Sequence, residues 1–158
     1  MKIVPFEEKH KEQVRNLIFD VLEGEFGHHS KSGRPDVKNI SEHYQKDSKS
    51  NFWVALDEND SVVGTIALSN LNENIGNLRR LYVKTEMRGQ GIAGKLFSVL
   101  LDFAKGHGYK EIYLSTWETA TDALRFYEKH DFERISQLPE KIAWTAGSDN
   151  VFYKLEIK

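Results

Sequence analysis

Apolar residues recur along this chain with two spacings, and each change of spacing marks a change of element. Residues 2–4 (KIV) read as a short strand. After Pro5, Val14, Leu17, Ile18, Val21 and Leu22 recur every three or four positions, the stripe of an amphipathic helix, with Glu7 and Glu8 near its positive end. Residues 24–36 (GEFGHHSKSGRPD) are rich in turn formers and predict a surface loop, and a fainter helical pattern covers 37–46. Two apolar runs, 52–56 and 62–68, flank the turn sequence DEND and predict an antiparallel hairpin; 75–83 is a further strand. Ile92, Leu96, Phe97, Leu100, Phe103 and Ala104 return to helical spacing until Gly106 and Gly108 stop it. A strand at 112–115 follows, then a helix through Lys129, with Thr119 and Asp122 spaced as a capping box. Strands at 132–135 and 151–157 complete the order. With no repeat, low-complexity tract or linker, residues 1–158 are expected to form one mixed α/β domain.

The strand at 75–83 contains a phase slip. Strict alternation puts Leu78 and Leu81 on opposite faces, whereas one extra residue near Arg79 and Arg80 returns Leu78, Leu81 and Val83 to the same face. That is the sequence trace of a β-bulge, which leaves backbone donors unpaired. Arg79 and Arg80 themselves are expected to be exposed strand residues.

Just after this strand stands RGQGIAGKLF, residues 88–97. Gly89, Gly91 and Gly94 satisfy the dinucleotide pattern G-x-G-x-x-G, and Gly89 to Lys95 satisfy most of the nucleoside-triphosphate loop. The first needs its glycine directly after an opening strand and chain enough for a second half, and neither is present. The second needs a hydroxyl for Mg²⁺ where Leu96 stands. A third parse, Arg88-x-x-Gly91-x-Ala93, is a glycine-rich turn opening a helix, whose free N–H groups receive phosphate oxygens.

Taken in order, the hairpin, the bulged strand, the R-x-x-G-x-A turn, the helix, the strand and a helix carrying FYEK resemble the Gcn5-related N-acetyltransferases, the GNAT superfamily. The resemblance covers residues 52–135 well and the flanks by element order. It implies a mixed, mostly antiparallel twisted sheet with a central splay, flanked by about four helices. It also implies acetyl-coenzyme A as co-substrate, with a small-molecule or peptide amine as acceptor and no metal. By the same resemblance, Arg88, Gly89, Gln90, Gly91, Ile92 and Ala93 contact the pyrophosphate, with Gly94 and Lys95 in the helix's first turn. The pantetheine arm pairs with the backbone of Leu81, Tyr82 and Val83, and Tyr127 protonates the leaving thiolate. Three positions depart from the family pattern. Ala120 stands where members often carry a pantetheine-binding Asn, Asp131 replaces a glycine, and Asn77 aligns with a Glu that relays the amine proton. The general base is therefore unassigned, and a non-catalytic acyl-coenzyme A binding or sensing module is the rival reading.

Composition narrows the setting. Apolar residues make up 39% and charged residues 29% of 158, ordinary for a globular domain. A net charge of −2 leaves no electrostatic footprint for nucleic acid. No apolar run approaches the roughly 20 residues of a membrane span, and the charged N-terminus does not read as a signal peptide. Zero cysteines exclude disulfides, thiolate metal sites and a cysteinyl acyl-enzyme. A cytoplasmic monomer or homodimer is the resulting expectation. His28 and His29 lack any companion ligand pattern and read as loop residues. Trp53, Trp117 and Trp144 read as core or pocket wall. Glu25, His28, Glu73 and Glu118 are possible neighbours of the acceptor, and Glu23, Glu25 and Glu42 point weakly to a cationic one.

Overall fold

A computed structural model describes residues 1–26, 34–72 and 74–158, the side chains of 25 and 26 excepted. A seven-stranded sheet runs in the order β1-β2-β3-β4-β5-β7-β6. Its strands are β1 (Lys2–Pro5), β2 (Asn51–Leu56), β3 (Val62–Asn72), β4 (Ile75–Val83), β5 (Glu111–Thr116), β6 (Glu133–Ile135) and β7 (Val151–Glu156). Every neighbouring pair is antiparallel except β4 with β5. Five α-helices occur among the described residues: α1 (Lys11–Phe26), α2 (Pro35–Lys38), α3 (Ile40–Tyr44), α4 (Ile92–Gly106) and α5 (Thr121–Lys129).

Both faces of the sheet are covered, and the alternation along β2 shows how. Trp53 and Ala55 join the apolar cluster under α4, while Phe52, Val54 and Leu56 join the cluster under α1. The α1 stripe of Val14, Leu17, Ile18, Val21 and Leu22 is buried as its spacing requires. On the other face α4 buries Ile92, Leu96, Phe97, Leu100 and Ala104. Full burial of each large side chain contributes about 1.5–3 kcal/mol. Gly64 lets the start of α4 sit directly on β3, because a Cβ there would stand 3.0 Å from Leu96 and 3.1 Å from Ile92. The N-terminus of α4 is thereby fixed against the sheet.

Three expectations are corrected. The loop expected over 24–36 is helical at both ends, since α1 continues to Phe26 and α2 begins at Pro35; positions 27–33 lie outside the described residues. The weak helix expected over 37–46 is broken at Asn39, whose backbone (φ −132°, ψ 64°) is not helical. The capping box does not form. A turn from Trp117 to Ala120 (3.1 Å) delivers Ala120 as the N-cap, so Thr119 falls one residue too early to cap.

Candidate active site

β4 and β5 pair only at Ile75–Glu111, Gly76–Ile112 and Asn77–Tyr113. Beyond these, β5 stays paired to β7 through Thr116 while β4 stays paired to β3 through Val83, so the sheet opens at its centre. The open edge of β4 carries the bulge. Thr65 faces Tyr82 and Ala67 faces Arg79, which leaves Ile66 alone opposite Arg80 and Leu81. Leu78 and Val83 are buried on the α4 face with Leu81 packed beside them, as the phase slip requires.

Arg80 is the bulged residue, with φ at +56°. A non-glycine residue in this region costs about 1–2 kcal/mol, and the surroundings hold it there. Thr65 Oγ1 donates to the Arg80 carbonyl at 2.8 Å. The guanidinium donates from Nε and Nη2 to the two oxygens of Asp36, each at 2.8 Å, and Tyr44 donates its hydroxyl to the same carboxylate at 2.6 Å. Arg80 and Asp36 side chains are only 12% and 9% exposed. Burial alone would raise the Asp36 carboxyl; hydrogen bonds and charge from Arg80, aided by Arg79 and Tyr44, overcome it and hold the carboxyl well below the usual range. The expectation of an exposed Arg80 is thus corrected: it is locked to a residue 44 positions away.

The turn after β4 is tied back by Arg88, whose Nε donates to the Val83 carbonyl at 3.3 Å. Gly89 and Gly91 both have φ +79°, and a Cβ on either would meet nothing within 4 Å. The bare backbone therefore faces open space. Gly91 is the N-cap of α4, and the first helical bond runs from Lys95 N–H to Gly91 C=O at 3.1 Å. The amides of Ile92, Ala93 and Gly94 consequently have no intrahelical acceptor and sit at the positive end of a 15-residue helix. This arrangement fits a pyrophosphate.

From the turn, a groove of about 570 Å³ follows the β4 backbone at Leu81, Tyr82 and Val83 to Trp117, Ala120 and Tyr127. That is the size of a small-molecule site. Of the turn, Arg88, Gly89, Gly91, Ile92, Ala93 and Gly94 border the groove. Gln90 and Lys95 face away, into a smaller hollow beside Met1 and Asp57. Tyr127 is 6% exposed, its ring 5.6 Å from that of Phe132 and 5.8 Å from that of Tyr153. Burial, then the neighbouring Tyr82, Asp149 and Tyr153, pushes its phenol well above the usual range, so it keeps its proton at neutral pH.

The profile of the acetyltransferase (GNAT) family matches residues 15–132. The chain belongs to this family. It is 36% identical over 110 residues to an N-acetylaspartate synthetase of Xenopus tropicalis, covering 69% of this chain and 40% of that protein. It is also 36% identical over 109 residues to N-acetyltransferase 8B of Homo sapiens, covering 66% and 48%. The chain thus spans less than half the length of these two relatives. An acetyltransferase of the GNAT family from Staphylococcus aureus Mu50 shares the whole fold, with a TM-score of 0.92, 28% identity and 99% of both chains covered.

The positions that depart from the GNAT pattern each have a defined place. Asp131 adopts φ +70°, the left-handed turn that glycine usually supplies. Ala120 is buried at the N-cap of α5 and borders the groove with no polar side chain. Asn77 is buried, paired across the sheet to Ser69 and Tyr113, and does not line the groove. Trp53 is core and Trp117 is groove wall, but Trp144 is 74% exposed on a 3-10 turn (Glu140–Ala146), contrary to expectation. Glu118 is exposed and meets Arg134 at 3.5 Å; Glu23 and Glu42 do not line the groove. The side chain of Glu25, and His28, His29 and Glu73, lie outside the described residues. Sequence reading missed Asp36 entirely, for its neighbours in sequence are turn formers and nothing marks its partner. No helix among the described residues is long and apolar enough to cross a membrane, and no group of three metal-ligating side chains occurs among them.

Proposed function

We propose that the chain is an N-acetyltransferase that moves the acetyl group of acetyl-coenzyme A directly to a primary amine of a small molecule or peptide. The carrying observation is the continuity of the groove, from a helix N-terminus stripped of side chains, along a bulged strand edge, to a buried phenol. When bound, acetyl-coenzyme A supplies an activated acyl group as its thioester. The amides of Gly91, Ile92, Ala93 and Gly94 hold its pyrophosphate, with Arg88 beside them. The open edge of β4 at Leu81, Tyr82 and Val83 pairs with the amide-bearing arm, and the bulge N–H near Tyr82 or Val83 faces negative charge developing on the carbonyl oxygen. Tyr127 gives its proton to the departing sulfur. The neutral amine attacks the thioester carbonyl without a covalent enzyme intermediate. The C–N bond forms, the C–S bond breaks, and the proton shed by the nitrogen passes to solvent, from which Tyr127 is reprotonated.

A binding or sensing module is the second reading, favoured by Ala120 and Asn77, which withdraw two polar groups the family commonly uses. Calorimetry with coenzyme A, in the presence and absence of chelator, tests the site. Binding independent of metal is expected, and preference for ATP or NAD over coenzyme A would overturn the assignment. Turnover with an amine panel then separates enzyme from sensor.

A further inference from the structure

One wall of the groove is built by the start of the bulge, Arg79 and Arg80, with Val21 of α1 and Trp117. The two arginines are not equivalent. The Arg80 guanidinium is engaged by Asp36 through both oxygens. Arg79 is half-buried, stands directly across from Ala67 on the α1 face, and lies close enough to Asp36 to depress its carboxyl. No described carboxylate forms an ion pair with Arg79. Among the described residues, this wall sets one carboxylate against two guanidiniums. Among the described residues lining the groove the only acid is Asp122, exposed on α5 and facing Arg125 at 3.8 Å. Asp149, which accepts from Ser115 at 2.7 Å, does not line it.

A half-buried guanidinium that forms no ion pair with a described carboxylate, in a groove that takes substrate, favours an anion. We propose that the acceptor amine also carries a carboxylate, which the Arg79 guanidinium holds; this rests on the acetyl-transfer reading. Arg79 stands immediately before the bulge and within a few residues of the Tyr82 and Val83 amides offered to the carbonyl oxygen, all of them lining one groove. An amino acid whose carboxylate stands one or two carbons from its nitrogen spans the interval between them once the length of the arginine side chain is included. The same charge disfavours an ammonium beside it, so a larger share of the acceptor is neutral and nucleophilic. That helps a site whose general base is unassigned. A polyamine or aminoglycoside meets repulsion at this wall, and the cationic acceptor suggested by Glu23, Glu25 and Glu42 is replaced by an anionic one.

The test compares α- and β-amino acids with their amides, together with spermidine, as acceptors for the wild-type chain, Arg79→Gln and Arg79→Lys. In the wild type, the acids are expected to exceed their amides in kcat/KM by about 10-fold or more, the range of a charge-assisted hydrogen bond. Arg79→Gln is expected to raise KM for the acids by a similar factor and abolish the preference, with the KM for acetyl-coenzyme A and the Tm little changed. Arg79→Lys should restore part of it. Amides or spermidine acetylated as well as the acids by the wild type would overturn this inference and leave acetyl transfer standing. Absence of turnover with every amine would overturn acetyl transfer itself and the inference with it.

Discussion

Arg80 and Asp36 close a bidentate ion pair, 2.8 Å at each oxygen, across the back of the β4 bulge. The pair joins α2 to the one residue of β4 that occupies the left-handed region, so the strand edge expected to face the thioester is braced from behind. Its removal should be felt in both stability and catalysis.

Asp36→Ala leaves a guanidinium buried without its partner, which costs about 3–5 kcal/mol. For a chain of this size the Tm should fall by roughly 10 °C, and kcat should fall with it. Asp36→Asn keeps the shape and part of the hydrogen bonding and should lose less of both. Thermal melts and steady-state kinetics on the two variants decide; a Tm for Asp36→Ala equal to that of the wild type would show that the pair contributes no stability.

The pH dependence of that contribution has a definite sign. The folded Asp36 carboxyl lies below its unfolded value of about 3.9, so its stabilisation is fully present above that value and is lost as pH falls further toward the folded one. The stability gap between wild type and Asp36→Asn should therefore be flat from about pH 5 to 8 and narrow below about pH 4. A gap that narrows on the alkaline side would contradict the assignment.

Gly91→Val places a β-branched side chain at φ +79°, strained but in open space. A modest fall in Tm is expected, with at least about a tenfold loss of coenzyme A affinity because the side chain occupies the phosphate approach. Calorimetry beside a thermal melt separates the two effects, and unchanged affinity would make the turn purely structural.

Tyr127→Phe retains the ring that packs edge-on against Phe126 and Phe132 and tilted against Tyr153, and removes only the hydroxyl. General acid catalysis is typically worth about 10²–10⁴-fold, so kcat should fall at least about tenfold with coenzyme A affinity and Tm nearly unchanged. Since burial raises the phenol, no loss of the wild-type rate from Tyr127 ionisation is expected below the usual phenol range near pH 10. A kcat within about twofold of wild type, with chemistry rate-limiting, would make Tyr127 a wall of the groove.

The parts of the fold legible in sequence are those written in local periodicity. The α4 stripe, the hairpin of β2 and β3, and even the bulge could be read because each is a spacing between near neighbours. The Arg80–Asp36 pair could not, since its partners are 44 residues apart and Asp36 sits among residues that read as loop. Thr119 failed as a cap for a related reason: the turn from Trp117 sets the start of α5, and that turn is fixed by the end of β5 rather than by capping chemistry. Gln90 and Lys95 belong to the motif in sequence, but the helical rotation of α4 and the left-handed residues Gly89 and Gly91 carry them to the other side.

Amine-dependent release of coenzyme A thiol from acetyl-coenzyme A bears most directly on the whole proposal. The chain contains no cysteine, so a thiol reagent reports the product without protein background. Release that rises with amino-acid concentration, saturates, and falls at least about tenfold in Tyr127→Phe is the expected result. Tight binding of acetyl-coenzyme A with no amine-stimulated thiol release would contradict it and leave a binding module in its place.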